Sequence, residues 1–325
     1  MDPEIRTESA IYGKTRWERV TAWVLIEGNR SVVASGITLG VVGIFGALIW
    51  ADILAVGPGS SIGPLFRSGL AAGVITLITI SLSINQLVIS RVFGSIDSLT
   101  DRLNGARELH EEVASLAGRP SSPNDPAAFL SLIARTLSDR VSTLRSMDES
   151  GEWDPSSEVT SALRDIGNYG ENIDSQLESD TQVAHVLTVL LGPEYAVNLN
   201  AVQHLQNGYA ESLPDTVQAE FQAIERLLES IAVVRQFYKT IALQQDFAEL
   251  SRKIVYTGMI AFVTTISVSL IYRVDSVTVP SSTLPFVVIL GIGVVTMPLA
   301  LFVSYILRAA TVARQTVSVG PFIPP

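Results

Sequence analysis

Between Leu70 and Leu103 the chain reads LAAGVITLITISLSINQLVISRVFGSIDSLTDRL, an apolar run that gives way, past Gly94, to a polar helical pattern. No acid or base interrupts the first part before Arg91, and its length suits a helix crossing a hydrocarbon core of about 30 Å. The second part carries Asp97, Asp101 and Arg102 and belongs in water. A chain that holds both side by side is organised around a membrane crossing, and this constrains its fold more than any other feature.

Within that run Thr76, Thr79, Ser83, Gln86 and Ser90 recur at alternating steps of three and four, which places them on one helical face. Unpaired hydroxyl and amide groups in hydrocarbon cost free energy, so the stripe must meet protein or water. Two readings fit: interhelical hydrogen bonding, at roughly 0.6 kcal/mol per contact, or the wall of an aqueous pathway. Thr76, Thr79 and Ser83 have a third recourse, returning their hydroxyl hydrogens to carbonyls of their own helix.

Three further apolar segments match it. Val32 to Val56 has no charge until Asp52 and carries a small-residue stripe, Gly36, Gly40, Gly43 and Ala47, of the kind that lets helices pack closely within or between protomers. The next segment, GPGSSIGPLFR, is rich in Gly and Pro; without a Gly-Lys-Ser/Thr ending or a preceding strand it reads as a turn, with span two following from Ser68 to Ser90. Ile254 to Ile271 and Leu284 to Leu307 supply spans three and four, the last with Pro298 as an expected kink.

The long middle of the chain has no span and reads as helices. Ser95 is placed to cap a helix over 97–117, and Asp125-Pro126 and Asp154-Pro155 each pair an N-cap carboxylate with proline at the first helical position, opening helices over 126–147 and 155–179. VAHVLTVLL, from Val183 to Leu191, is half the length a crossing needs and is expected as a buried helix. From Asp215 to about Tyr272 runs one uninterrupted helical pattern, with Val217, Phe221, Ile224, Leu228, Ile231 and Val234 at three-and-four spacing. At 1.5 Å per residue it predicts a rod of about 85 Å continuous with span three. In the leader, TRWERVTAWVLIE reads as a short helix at the membrane surface or docked on the protein itself, and the tail GPFIPP has no helical pattern.

Basic residues gather on one side of the spans: Arg6, Lys14, Arg16, Arg19, Arg30, Arg91, Arg252, Lys253, Arg308 and Arg314, against Arg67 and Arg273 on the other. The positive-inside rule then puts both termini and the middle of the chain in the cytoplasm of a cell-membrane protein. A mean hydropathy of +0.36 agrees with several spans. The net charge of -10 argues against nucleic acid as a partner. Lysine occurs only at Lys14, Lys239 and Lys253, and the absence of cysteine excludes disulfides, thiol catalysis and cysteine-ligated metals.

Sites for chemistry are not visible. Glu108, His110, Glu111 and Glu112 lack the second histidine of a zinc helix and read as a solvated acidic face, while His185 and His204 read as structural. No hydrolase, nucleotide or dinucleotide motif is present, and no span core holds the ionisable group a pump requires. Neither enzyme activity nor a cofactor or metal is expected.

The run SINQLVISRVFGSIDSLTDRL, with its arginine-dominated basic residues, resembles uncharacterised four-span membrane proteins of haloarchaea, a likeness that implies a salt-adapted surface and no assigned activity. The order of hairpin, long helical segment and hairpin also resembles bestrophin-type anion channels, in topology alone; the bestrophin calcium-binding and aromatic pore-neck motifs are absent. The expected fold is thus an all-α integral membrane protein in which two transmembrane hairpins (four spans) flank a long cytoplasmic helical-bundle domain. Its parts are a leader (1–30), hairpin one (31–93), the helical domain and stalk (94–250), hairpin two (251–308) and a tail (309–325). The functions that fit are a homo-oligomeric passive ion channel with span two lining the pathway, or a non-conducting scaffold or sensor presenting the helical domain to a cytoplasmic protein partner. The lipid bilayer is the one partner both readings share.

Overall fold

The computed structural model describes residues 20–21, 23–92, 96–177, 194–209, 213–272 and 278–315. Among these the chain is helical and contains no β-sheet. After a π-helical turn at Trp23–Glu27 come α1 (Arg30–Trp50), α2 (Ala71–Val92), α3 (Ile96–Leu116), α4 (Pro126–Glu149), α5 (Ser157–Ser175), α6 (Glu194–Tyr209), α7 (Asp215–Ile271) and α8 (Leu284–Gln315). The segment VAHVLTVLL with His185, the expected Ser95 cap, most of the leader and the tail GPFIPP lie outside the described residues.

Among the described residues four helical stretches are long and apolar enough to cross a membrane: Arg30–Trp50, Ile62–Ser90, Asp215–Ile271 and Leu284–Val312. Their boundaries depart from the expected ones for local reasons. Span one was expected to reach Val56, but α1 stops at Trp50 and Asp52 takes a left-handed backbone at φ 56°, a conformation short polar side chains tolerate. Helix in turn begins before Ser68. Ile62–Pro64 is already α-helical and Leu65–Leu70 forms a π-helical stretch leading into α2, because Pro64 sits in a first turn where its missing N–H is no loss.

The chain divides into two compact units. Among the described residues, one holds those of 96–242 with 312–315, and the other those of 20–92 and 243–311. The helix α7 contributes residues to both.

In the first unit, α4, α5, α6 and the start of α7 enclose one core. All six residues of the α7 stripe are buried, with Val217, Ile224, Leu228 and Ile231 fully so. They meet Leu130, Ile133, Leu137, Leu163 and Ile166. Helices α4 and α5 approach so closely that a Cβ at Gly170 would lie 2.5 Å from Ser138 Oγ and 2.7 Å from the Ala134 carbonyl, so the position requires glycine. Asp125 caps α4 as expected, accepting from the Ala128 N–H at 2.8 Å. The Asp154-Pro155 start is displaced: Ser156 is the cap of α5, and the helix begins at Ser157.

The second unit gathers α1, the Ile62–Val92 helical segment, the end of α7 and α8. Phe66, Val74, Ala261, Val268, Val288 and Ile292 form one apolar cluster, and Ala34, Leu250, Ile254, Leu301 and Tyr305 a second. Large apolar side chains also cover its outside, among them Leu39, Ile44, Ile260 and Leu290.

Candidate functional site

The packed face of α2 is not the one its polar residues mark. Val74 and Ser81 are buried, with Leu77, Ile78 and Ile84 half-buried beside them. Thr76, Thr79, Ser83, Gln86 and Ser90 are all exposed, so the described residues do not bury the stripe. Four of its hydroxyls close on their own helix: Thr76 donates to the Ala72 carbonyl at 2.9 Å, Thr79 to Ile75 at 3.0 Å, Ser83 to Thr79 at 3.1 Å and Ser90 to Leu87 at 2.9 Å. Thr257 and Thr264 of α7 and Thr296 of α8 do the same, so back-bonding is general here and does not set the stripe apart. Gln86 differs. Its amide carries two N–H donors and a carbonyl on the exposed face, and the helix offers them no return bond.

The interhelical polar contact of α2 lies instead on the packed side. Ser81 donates to the Ser251 carbonyl at 3.1 Å, and Ser251 donates to the Ser81 carbonyl at 3.2 Å, both side chains being buried. Nearby, a Cβ at Gly258 would lie 2.8 Å from Ile78 Cγ1, so glycine lets α7 and α2 approach. A lone serine amid apolar residues, with its partner 170 positions away, leaves no periodic signal in the sequence.

The small-residue stripe of α1 is likewise turned outward. Gly36, Gly40, Gly43 and Ala47 are exposed, and a Cβ at any of the three glycines would meet nothing within 4 Å. Among the described residues, therefore, nothing packs closely on this stripe. Helix α1 meets α8 through Val42, whose Cγ2 would be 3.0 Å from a Cβ at Gly293, and through Thr38, whose Oγ1 lies 3.4 Å from Met297 Sδ.

The second unit holds a partly buried set of charged contacts that the basic-residue count did not resolve. Arg30 donates Nε and Nη2 to the Gly28 carbonyl at 2.8 and 2.6 Å and Nη1 to the Val24 carbonyl at 2.9 Å, tying α1 to the turn before it. Ser304 of α8 donates to the Arg30 carbonyl at 3.3 Å. Arg308 pairs with Asp246 at 3.2 Å. Lys253 pairs with Glu249 at 2.8 Å and reaches Ser31 Oγ at 2.7 Å and Tyr305 Oη at 3.2 Å. Three of the basic residues flanking the spans are thus engaged by α1, α7 and α8 themselves.

A family model matches residues 1–325. The chain belongs to DUF7972, a family of unknown function. No curated protein and no solved structure matches the chain. For this member of DUF7972 the chemistry therefore has to be read from its own residues. His110 stacks on Phe129 with ring centroids 4.3 Å apart and its Nδ1 lies 2.7 Å from Ser122 Oγ, which is also within hydrogen-bond distance of the His110 carbonyl. The Ser122 hydroxyl thus lies between the His110 ring and the His110 carbonyl, and the tautomer of His110 sets which of the two accepts its hydrogen. Glu111 pairs with Arg107 at 2.7 Å, and no group of metal-binding side chains occurs among the described residues. His204, expected in a structural place, is exposed on α6. In the first unit Arg235 lies over the Tyr195 ring at 4.6 Å. Burial, with the charge of Glu194 adding to it, raises the Tyr169 phenol well above its ordinary range and keeps it neutral.

Proposed function

We propose that the chain is a multi-pass protein of the cell membrane, with its termini and first unit in the cytoplasm, and that copies assemble so that the outward stripe of α2 lines a passive pathway for ions. The observation that carries this reading is the exposed amide of Gln86 amid apolar α2. In lipid that amide would lose several kcal/mol of hydrogen bonding, whereas water in a shared axis satisfies it. The exposed glycine stripe of α1 supports assembly, since small residues are what membrane helices use for close approach. The acidic, arginine-rich composition supports a salt-adapted surface.

A second reading, a non-conducting scaffold, is favoured by the back-bonded hydroxyls of Thr76, Thr79, Ser83 and Ser90, which need no water. Flux through liposomes holding the purified full-length protein separates the two. Under the first reading wild type conducts, and Gln86→Leu dewets the constriction and lowers flux without changing the oligomer. Under the second, wild type shows no flux above empty liposomes at any voltage, and Gln86→Leu loosens the assembly.

A further inference from the structure

Helix α3 is covered along only half its length. Val113 and Ala114 are buried in the first unit, Leu109 packs against the same core, and His110 stacks on Phe129. Leu103 and Leu99, about two and three turns before His110 on that face, have no cover: Leu103 is 70% exposed and Leu99 45%. Ala106 is exposed as well. The apolar stripe therefore continues past the end of its partners.

The charges around the uncovered part are sorted by sign. On a helical wheel Arg102 and Arg107 fall on the two shoulders of the Leu99, Leu103 and Ala106 stripe, one on each side. Asp97, Asp101, Glu108 and Glu112 fall on the far face, and all are exposed. Arg107 is held by Glu111, next to it on the same helix. Arginines at the shoulders can lay their stems along an apolar layer and lift their guanidinium groups to phosphates, while carboxylates on the far face stay in water.

A second copy of the chain is a poorer occupant for this face. Leu99, Leu103, Ala106, His110 and Val113 follow a heptad seam, and in a parallel pair of such helices Arg102 of one would face Arg107 of the other, a like-charge contact. Covalent distance points the same way, since only residues 93–95 separate α3 from the end of α2.

We propose that the first half of α3 is a membrane-interface helix, its Leu99, Leu103 and Ala106 stripe set into the headgroup layer and Arg102 and Arg107 held at lipid phosphates. This rests on the reading of α2 as a membrane span.

The test uses the full-length protein in vesicles, with single cysteines introduced into a chain that has none, each carrying an environment-sensitive fluorophore. The positions are Leu103→Cys, Glu108→Cys on the far face and Ile44→Cys on the exposed apolar side of α1. Quenchers attached to lipid chains near the headgroup should quench the Leu103 label severalfold more than the Glu108 label. The effect should be stronger in vesicles of phosphatidylglycerol mixed with phosphatidylcholine than in phosphatidylcholine alone. Adding Arg102→Gln should lower the docked-to-undocked ratio about fivefold, the change expected for one basic residue at an anionic surface. If Ile44 is quenched but Leu103 is no more quenched than Glu108, the interface helix is overturned and the membrane reading stands. Loss of quenching at Ile44 as well overturns both. Efficient cross-linking of Leu103→Cys between protomers, with no lipid quenching, overturns the proposal in favour of a second copy on this face.

Discussion

Ser81 and Ser251 exchange hydrogen bonds across the α2–α7 contact, each hydroxyl donating to the other residue's carbonyl, at 3.1 and 3.2 Å. Both side chains are buried, so each bond replaces one that water cannot make there. The close approach depends on Gly258, whose missing Cβ leaves room for Ile78. We expect Ser81→Ala and Ser251→Ala each to cost about 0.6 kcal/mol, the average for such bonds between membrane helices. Gly258→Val should cost more, about 1 to 3 kcal/mol, because it pushes a branched side chain into Ile78. Unfolding of the full-length protein in mixed micelles, followed by helical circular dichroism, measures this ranking; a Gly258→Val variant as stable as wild type would contradict the contact.

Leu228 is fully buried in the core of the first unit, near the middle of the α7 stripe. Its truncation to alanine should lower stability by about 2 to 5 kcal/mol, whereas Val233→Ala, at an exposed position of the same helix, should change little. Trp153 stands edge-on to Phe221 at 5.6 Å and gives a fluorescence report from the same unit. Equal denaturation midpoints for the two variants would mean the stripe is not packed.

How much of this was legible in the sequence depends on whether the signal was periodic. Val217, Phe221, Ile224, Leu228, Ile231 and Val234 repeat over five turns, and the structure buries all of them. The four apolar segments were legible because length and apolarity identify a membrane-length helix without tertiary information. The sequence also showed that α2 and α1 carry special faces, but not what those faces meet. Spacing marks Gly36, Gly40 and Gly43 as small, and only the structure shows that none of the described residues lies over them. Ser81 was missed since one serine has no period. Gly63 and Pro64 misled in the other direction: they were read as turn punctuation, although proline in a first helical turn is tolerated.

The Asp246–Arg308 pair differs in kind from surface pairs such as Arg107–Glu111. Its side chains are 12% and 11% exposed, against 75% and 64% for Arg107 and Glu111. Removing one partner of a buried pair leaves the other charge uncompensated, so Asp246→Asn should destabilise the protein by about 3 to 5 kcal/mol. Glu111→Gln should have no measurable effect, because an exposed pair gains little over its hydration. The same unfolding assay separates the two variants. Comparable, small losses in both would mean that Asp246 and Arg308 are solvated in the working protein.

Sidedness is the remaining step, and the absence of cysteine makes it directly measurable. Ser122 is a poor labelling position, since its hydroxyl lies between the His110 ring and the His110 carbonyl. Ser121 beside it is exposed, as is Ser282 in the segment between α7 and α8. Under the proposed topology Ser121 faces the cytoplasm and Ser282 the outside, because the basic Arg91, Arg252 and Lys253 border the stretch of chain that contains Ser121. In intact cells an impermeant maleimide should therefore label Ser282→Cys and leave Ser121→Cys unreacted until the membrane is opened. Labelling of Ser121→Cys alone would invert the orientation, and equal labelling of both from outside would overturn the crossing of α7 and α8.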